Sequence, residues 1–297
     1  MRVALAMEKL ATRPAAPAIP DAARPQPPSS HPQPALSASG GPPLPAAVVV
    51  PAYQERKRIA AVVGQLLPAC RTLGLRLVVS DGGSTDGTAA LAEALGAEVV
   101  VHGAPERQTI SEGRNAGAAE AAKGLPPHGV LLFFNADVVL PEPVAPFLRA
   151  LIGAAGRDGA ATCRVVVDPA VATLGEKLVL GGCNVVFAGM NLAYLGMGRG
   201  ECHAVRRDVF EQMGGYNPEY AAGEDFDLFA RIAQSKRAGT CPAGRRPIRF
   251  LWRYALEEDP RRYRQRGLAL TMLDWFRNTC SITVLKRSYS TDWEAVR

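Results

Sequence analysis

Four short apolar runs punctuate the first half of the chain, and polar or turn-forming residues stop most of them. Ala47-Val48-Val49-Val50 ends at Pro51, and Leu75-Arg76-Leu77-Val78-Val79 ends at Ser80-Asp81-Gly82-Gly83. Glu98-Val99-Val100-Val101 follows, and Val130-Leu131-Leu132-Phe133-Phe134 ends at Asn135-Ala136-Asp137. Such runs fit strands buried on both faces. The stretches between them change period. Ile59, Val62, Val63, Leu66 and Leu67 make a helical stripe. Ser84, Thr85 and Asp86 are cap candidates for a helix through Leu91 and Leu95. An alanine-rich stretch from Ser111 to Lys123 predicts a third helix.

The resulting order, β-α-β-α-β-α-β with short connections, predicts an α/β fold: a mostly parallel central sheet with helices on both faces. Ligands of such sheets bind beyond the carboxyl ends of the strands. Those ends carry Tyr53 and Glu55, then Asp81, then Asn135 and Asp137, so three polar clusters are expected on one edge.

The second half is less regular. Arg164-Val165-Val166-Val167 reads as a strand. Leu178 to Gly198 holds no charged residue but five glycines, which argues against a membrane-crossing helix and for a buried or membrane-grazing segment. Phe226, Phe229, Ala230 and Ala233 predict a helix whose first turn holds Glu224 and Asp225.

Composition changes this picture at the two ends. Residues 1–45 are rich in Pro, Ala, Ser and Gln, deny the backbone its donors and predict a disordered leader. A single catalytic domain is expected over 46–255 and a basic, apolar, helical extension over 256–297. The net charge is +6, yet residues 231–297 hold 15 Lys and Arg against 6 Asp and Glu. That surplus suits an anionic partner such as a phosphate or a lipid headgroup, or simply a solvated surface; nucleic acid is not expected. The six scattered cysteines form no C-x-x-C pair, so neither a zinc site nor a disulfide framework is indicated, and a cytoplasmic setting fits. The P-loop and dinucleotide-binding patterns are both absent.

Three short motifs carry candidate chemistry. Asp137, after its strand, is suited to hold a hard cation on a diphosphate; alternatively it closes a turn. Glu224 and Asp225 at a helix start are favoured as ionised carboxylates by the macrodipole. There they could take a proton from a hydroxyl, or merely cap the helix. Arg114, in Gly113-Arg114-Asn115-Ala116-Gly117, could fork onto a diphosphate or lie in solvent. His203 reads as structural, with metal ligation as the alternative.

Taken together, Val49-Val50-Pro51-Ala52-Tyr53-Gln54-Glu55, Ser80 to Thr88, Gly113 to Gly117 and Asn135-Ala136-Asp137 resemble the family 2 glycosyltransferases of GT-A fold. Val205 to Phe210, Gly214-Gly215-Tyr216 and Gly223 to Leu228 resemble the second half of the same family. The resemblance implies an inverting, non-processive transfer from a nucleotide-diphosphate-sugar to a hydroxyl acceptor, which could be a glycan, a lipid-linked molecule or a small molecule. Pro51, Ala52, Tyr53 and Glu55 would then lie against base and ribose, Asp81 at the base edge and Arg114 near the nucleotide. Asn135 would contact the ribose, and Asp137 would bind Mn²⁺ or Mg²⁺. Asp225 would be the catalytic base, supported by Glu224. Asn135 stands where the family's D-x-D motif has its first carboxylate and so brings no charge to the metal. The basic C-terminal segment is expected to give a peripheral contact at the inner face of a membrane. Two other readings remain: a non-catalytic binding protein on the same fold, and a nucleotidyltransferase.

Overall fold

The computed structural model describes residues 45–103, 109–220 and 222–281. The expected leader therefore lies outside the described residues, apart from Pro45, as does the end of the expected C-terminal extension.

An eight-stranded sheet runs in the order β3-β2-β1-β4-β7-β6-β8-β5. Its strands are β1 (Ala46–Ala52), β2 (Arg76–Asp81), β3 (Glu98–Val101), β4 (Val130–Phe134), β5 (Val138–Val139), β6 (Ala160–Val166), β7 (Cys202–Arg206) and β8 (Arg249–Glu258). The helices are α1 (Arg56–Leu73), α2 (Thr88–Leu95), α3 (Ile110–Ala121), α4 (Val144–Asp158), α5 (Leu174–Leu192), α6 (Arg207–Gln212), α7 (Glu224–Ala238), α8 (Arg261–Arg266) and α9 (Leu268–Cys280). β1 to β4 pair in parallel, and β8 joins β6 in parallel. β7 runs antiparallel to both β4 and β6, and the short β5 runs antiparallel to β8. The mostly parallel α/β sheet expected from the hydrophobic pattern is thus present.

Alternate residues of each central strand feed two cores. On one face Val48, Val50, Leu132 and Phe134 meet Ile59, Val62, Val63 and Leu66 of α1 and Phe147, Leu148 and Leu151 of α4. On the other, Val49, Leu131 and Phe133 meet Ala118 and Ala121 of α3 and Leu228, Phe229 and Ile232 of α7. β1 and β4 are therefore apolar at every position.

Several local expectations are corrected. α2 starts at Thr88, after Gly87 in the left-handed region, rather than at Ser84 to Asp86. Asp86 instead accepts from Thr88 N (3.0 Å) and from Arg56 N (3.1 Å), bridging to the start of α1. α3 begins one residue early because Thr109 and Glu112 form a capping box. The stripe of α7 is Leu228, Phe229, Ile232 and Ala233, while Ala230 is exposed. Residues 178–198 are not a buried segment. They belong mostly to α5, whose inner side holds Leu180, Asn184, Phe187 and Asn191 and whose outer side is open. β7 and β8 escaped the sequence pattern altogether.

Candidate functional site

Parallel strands deliver their carboxyl ends to one edge. β1 and β2 are registered so that Ala52 lies opposite Asp81, and β4 lies on the other side of β1. A cavity of about 390 Å³ opens there, lined by Pro51, Ala52, Tyr53, Glu55, Arg114, Asn135 and Asp137 from the first half of the chain. Glu224 and Asp225 line the same cavity from α7. Asp81 sits just behind it. Its Oδ1 accepts from Gly83 N (3.0 Å) and Ser84 N (2.7 Å), while its buried Oδ2 has no hydrogen-bond partner among the described residues.

Arg114 ties the two halves together. α3 presses its backbone onto β1 and β2 at Gly117, and this sends the Arg114 side chain into the interior, where it is 1% exposed. One arm pairs with Glu224. The other donates to Asn135 Oδ1 (3.0 Å) and to the Gly200 carbonyl (2.8 Å). The Tyr216 ring lies 5.2 Å from its central carbon. These contacts engage both terminal nitrogens of the fork, while Nε has no hydrogen-bond partner among the described residues, and Arg114 organises the wall of the cavity that it lines. They also give Asn135 a definite part in the wall, since it accepts from a guanidinium that already carries the Glu224 charge.

Asp225 follows from the turn at Gly223, whose φ of 83° suits glycine. The macrodipole at the start of α7 favours its ionised form, but burial outweighs it. Loss of water, then the adjacent Glu224 carboxylate, push the Asp225 carboxyl up to about 8, with Arg114 pulling the other way. Asp137 also titrates above the usual carboxylate range, because of desolvation and the Glu201 carboxylate; Arg261, 3.5 Å away, opposes this. Glu55 is raised too, by burial and then by Asp137. Among the described residues, no three His, Cys, Asp or Glu side chains surround a point where a metal ion could sit.

His203 is structural. It is fully buried, its Nδ1 meets Tyr216 Oη at 2.9 Å, and its ring packs on Phe229. Burial, and then Arg114, hold its pKa well below the ordinary value, so it stays neutral.

The sequence reading missed the opposite wall. Arg199, Glu201, Glu258, Tyr263, Trp275 and Asn278 line the cavity. Buried Arg199 donates to Glu258 Oε2 (2.7 Å) and Tyr263 Oη (3.2 Å), and its charge lies over the Trp275 ring (4.8 Å). Tyr263 in turn donates to Glu258 Oε1 (2.5 Å). Burial, with Arg199 opposing, pushes the Glu258 carboxyl up to about 7. A charged residue between glycines, Gly198-Arg199-Gly200, was the available hint.

A cavity at the carboxyl edge of the sheet, with polar strand ends on one side and an acidic helix start on the other, can be set beside known proteins. The model of the family described as Glycosyl transferase family 2 matches residues 47–214, more than half of the chain. The chain belongs to glycosyl transferase family 2. It is 26% identical over 212 residues to the succinoglycan biosynthesis protein ExoA of Rhizobium meliloti (strain 1021), a match that covers 63% of this chain and 58% of that protein. The chain thus spans less than two thirds of that relative's length. Among solved structures, it resembles glucosyl-3-phosphoglycerate synthase from Mycobacterium tuberculosis, solved with Mn²⁺, UDP and phosphoglyceric acid. The TM-score is 0.54 at 19% identity, over 81% of this chain and 78% of that one. It also resembles the mannosyltransferase PcManGT from Pyrobaculum calidifontis, solved with GDP-Man and Mn²⁺. There the TM-score is 0.52 at 20% identity, over 80% of this chain and 66% of that one. These likenesses show the fold, and the family match shows the family.

Proposed function

We propose that the chain moves a sugar from a nucleotide-diphosphate-sugar to a hydroxyl acceptor in one inverting displacement, with Asp225 as the base. The observation that carries this reading is that Asp225 and the strand-end residues Asn135 and Asp137 line one cavity, with Arg114 bonded to both Glu224 and Asn135.

The donor's base and ribose lie against Pro51, Ala52, Tyr53 and Glu55. The orphaned Oδ2 of Asp81 accepts an N–H from the base edge, which would satisfy a buried acceptor. Asp225 accepts the acceptor's hydroxyl proton while that oxygen forms its bond to the anomeric carbon. The anomeric carbon–phosphate oxygen bond breaks on the far side, and the nucleoside diphosphate leaves. Glu224 holds Arg114 in place and, through its own charge, keeps Asp225 basic enough to take the proton.

A divalent cation, Mn²⁺ or Mg²⁺, fits the donor set. Such ions in phosphate sites take one or two carboxylates, and the substrate's phosphates and water complete the shell. Asp137 is the carboxylate that would hold it, and the acidic surroundings that raise Asp137 favour a cation there. When bound, the ion would neutralise charge on the departing diphosphate. The basic C-terminal segment gives a peripheral membrane contact beside the acceptor side of the cavity.

The test is Asp225→Asn. Turnover across a panel of nucleotide sugars and acceptors should fall by about 10²-fold or more, with the affinity for the nucleoside diphosphate retained. Wild-type turnover in the variant sinks the assignment. Binding without turnover in the wild type, on every pair tried, points instead to a non-catalytic binding protein.

A further inference from the structure

The outer face of α5 is unusual for a helix bathed in water. Leu174, Leu178, Val185, Val186 and Leu192 are 56–73% exposed. Between them stand Gly181, Gly182 and Gly189, each with open space where a Cβ would be. Lys177 is the one charged side chain among the exposed residues of this helix. α9 adds Leu270, Leu273 and Phe276, the last 65% exposed. The two helices join over one small core, in which Leu180 meets Tyr263 with Leu268, Met272 and Trp275 packed against them. An amphipathic helix normally turns such a stripe inward, and exposed apolar patches of this kind mark an interaction surface.

We infer that this pair of helices seats the protein on an anionic lipid surface, with α5 and α9 lying in the interface. The proposal rests on the transferase reading only in what it adds to it: the acceptor would be presented from the bilayer. Charge selects the occupant. Residues 261–281 carry five arginines against one aspartate; Arg261 pairs with Asp259, while Arg264 and Arg266 stay about half exposed beside Glu176 and Asp274, and Lys177 is the charged residue on the exposed face of α5. A second copy docking face to face would bring like charges together, whereas lipid phosphates would meet them favourably. The apolar stripe offers little hydrogen bonding for a specific protein partner and suits acyl chains and glycerol backbones. No helix among the described residues is long and apolar enough to cross a membrane, so the contact is peripheral. Its position has a use: Phe187 of α5 and Trp275 and Asn278 of α9 also line the cavity. The helices that would touch lipid are therefore walls of the site, and a lipid-linked hydroxyl could reach Asp225 without leaving the bilayer.

The experiment is co-sedimentation of the full chain with phosphatidylcholine vesicles, with and without phosphatidylglycerol. The protein should pellet with the anionic vesicles and lose that partition as salt rises. Leu178→Ser with Val185→Ser, and separately Leu270→Ser with Phe276→Ser, should each weaken partition at least about tenfold, with an unchanged melting temperature. Both pairs are exposed, so folding should survive. The proposal is overturned if the wild type stays in solution with both vesicle types, or partitions equally into both. Variants that bind like the wild type overturn it too, as does a wild-type dimer that Leu178→Ser with Val185→Ser dissolves. Nucleotide-sugar binding by the same variants, followed by melting temperature, should match the wild type. Absence of that binding in every protein defeats the transferase reading and leaves the vesicle result to stand alone.

Discussion

At the scale of single residues, Asp225 sets a conflict between stability and chemistry. A carboxyl held near 8 binds a proton in the folded chain that it has lost in the unfolded one at any pH between about 4 and 8. More protons bound in the native state means that stability falls as pH rises across that window. Asp225→Asn removes the ionisable group, so its melting temperature should exceed that of the wild type at pH 8, with the gap closing toward pH 4. Thermal unfolding at several pH values measures this, and a constant gap would show that burial does not control the group. The wild-type kcat/KM should climb through neutrality and level off above about 8, since only the ionised carboxylate accepts a proton. A residue poised this way can release the proton again once the product has left.

At the scale of elements, the packing of α3 decides where Arg114 goes. A Cβ on Gly117 would stand 2.5 Å from Val49 Cγ1 and 2.9 Å from the Ser80 Cβ, so the bare helix backbone rests directly on side chains of the sheet. Gly117→Val should cost about 1–3 kcal/mol in urea unfolding, because the helix must lift. Donor binding should weaken with it, because Arg114 rides on the same helix. How far the elements were readable follows from what surrounds them. β1 and β4 lie between two helical layers, so every position is apolar and the run announces itself. β8 has its interior at Leu256 but exposes Arg249, Trp252 and Arg253, and a register shift between Cys163 and Arg164 bends its partner β6. Neither an alternating nor a continuous apolar pattern survives that. The site divides along the same line. Tyr53, Asp81 and Asp137 were legible because a parallel sheet sends strand ends to one edge. Arg199 meets Glu258 across 59 residues of sequence, through a loop and a strand without a pattern, so nothing local foretold the pair. Arg114 was placed near the nucleotide by motif alone. Only the fold shows that both terminal nitrogens of its fork are engaged by Glu224, Asn135 and a carbonyl.

At the scale of the molecule, the cavity draws its walls from both halves of the chain, so a ligand that fills it should stabilise the whole. A nucleotide sugar at about a hundred times its Kd would add about 2.7 kcal/mol. With Mn²⁺ present, the melting temperature should rise further than with the same nucleotide sugar and a chelator. Equal shifts would mean that Asp137, next to the uncharged Asn135, works without a cation. The order of strands carries one more consequence. β5 directly follows Asp137, and its ladder partner is β8, the last strand among the described residues. Synthesis proceeds from the amino end, and the ribosome makes Asp137 long before it makes Glu258. A nascent chain can thus complete its first four parallel strands while the segment after Asp137 still lacks its ladder partner.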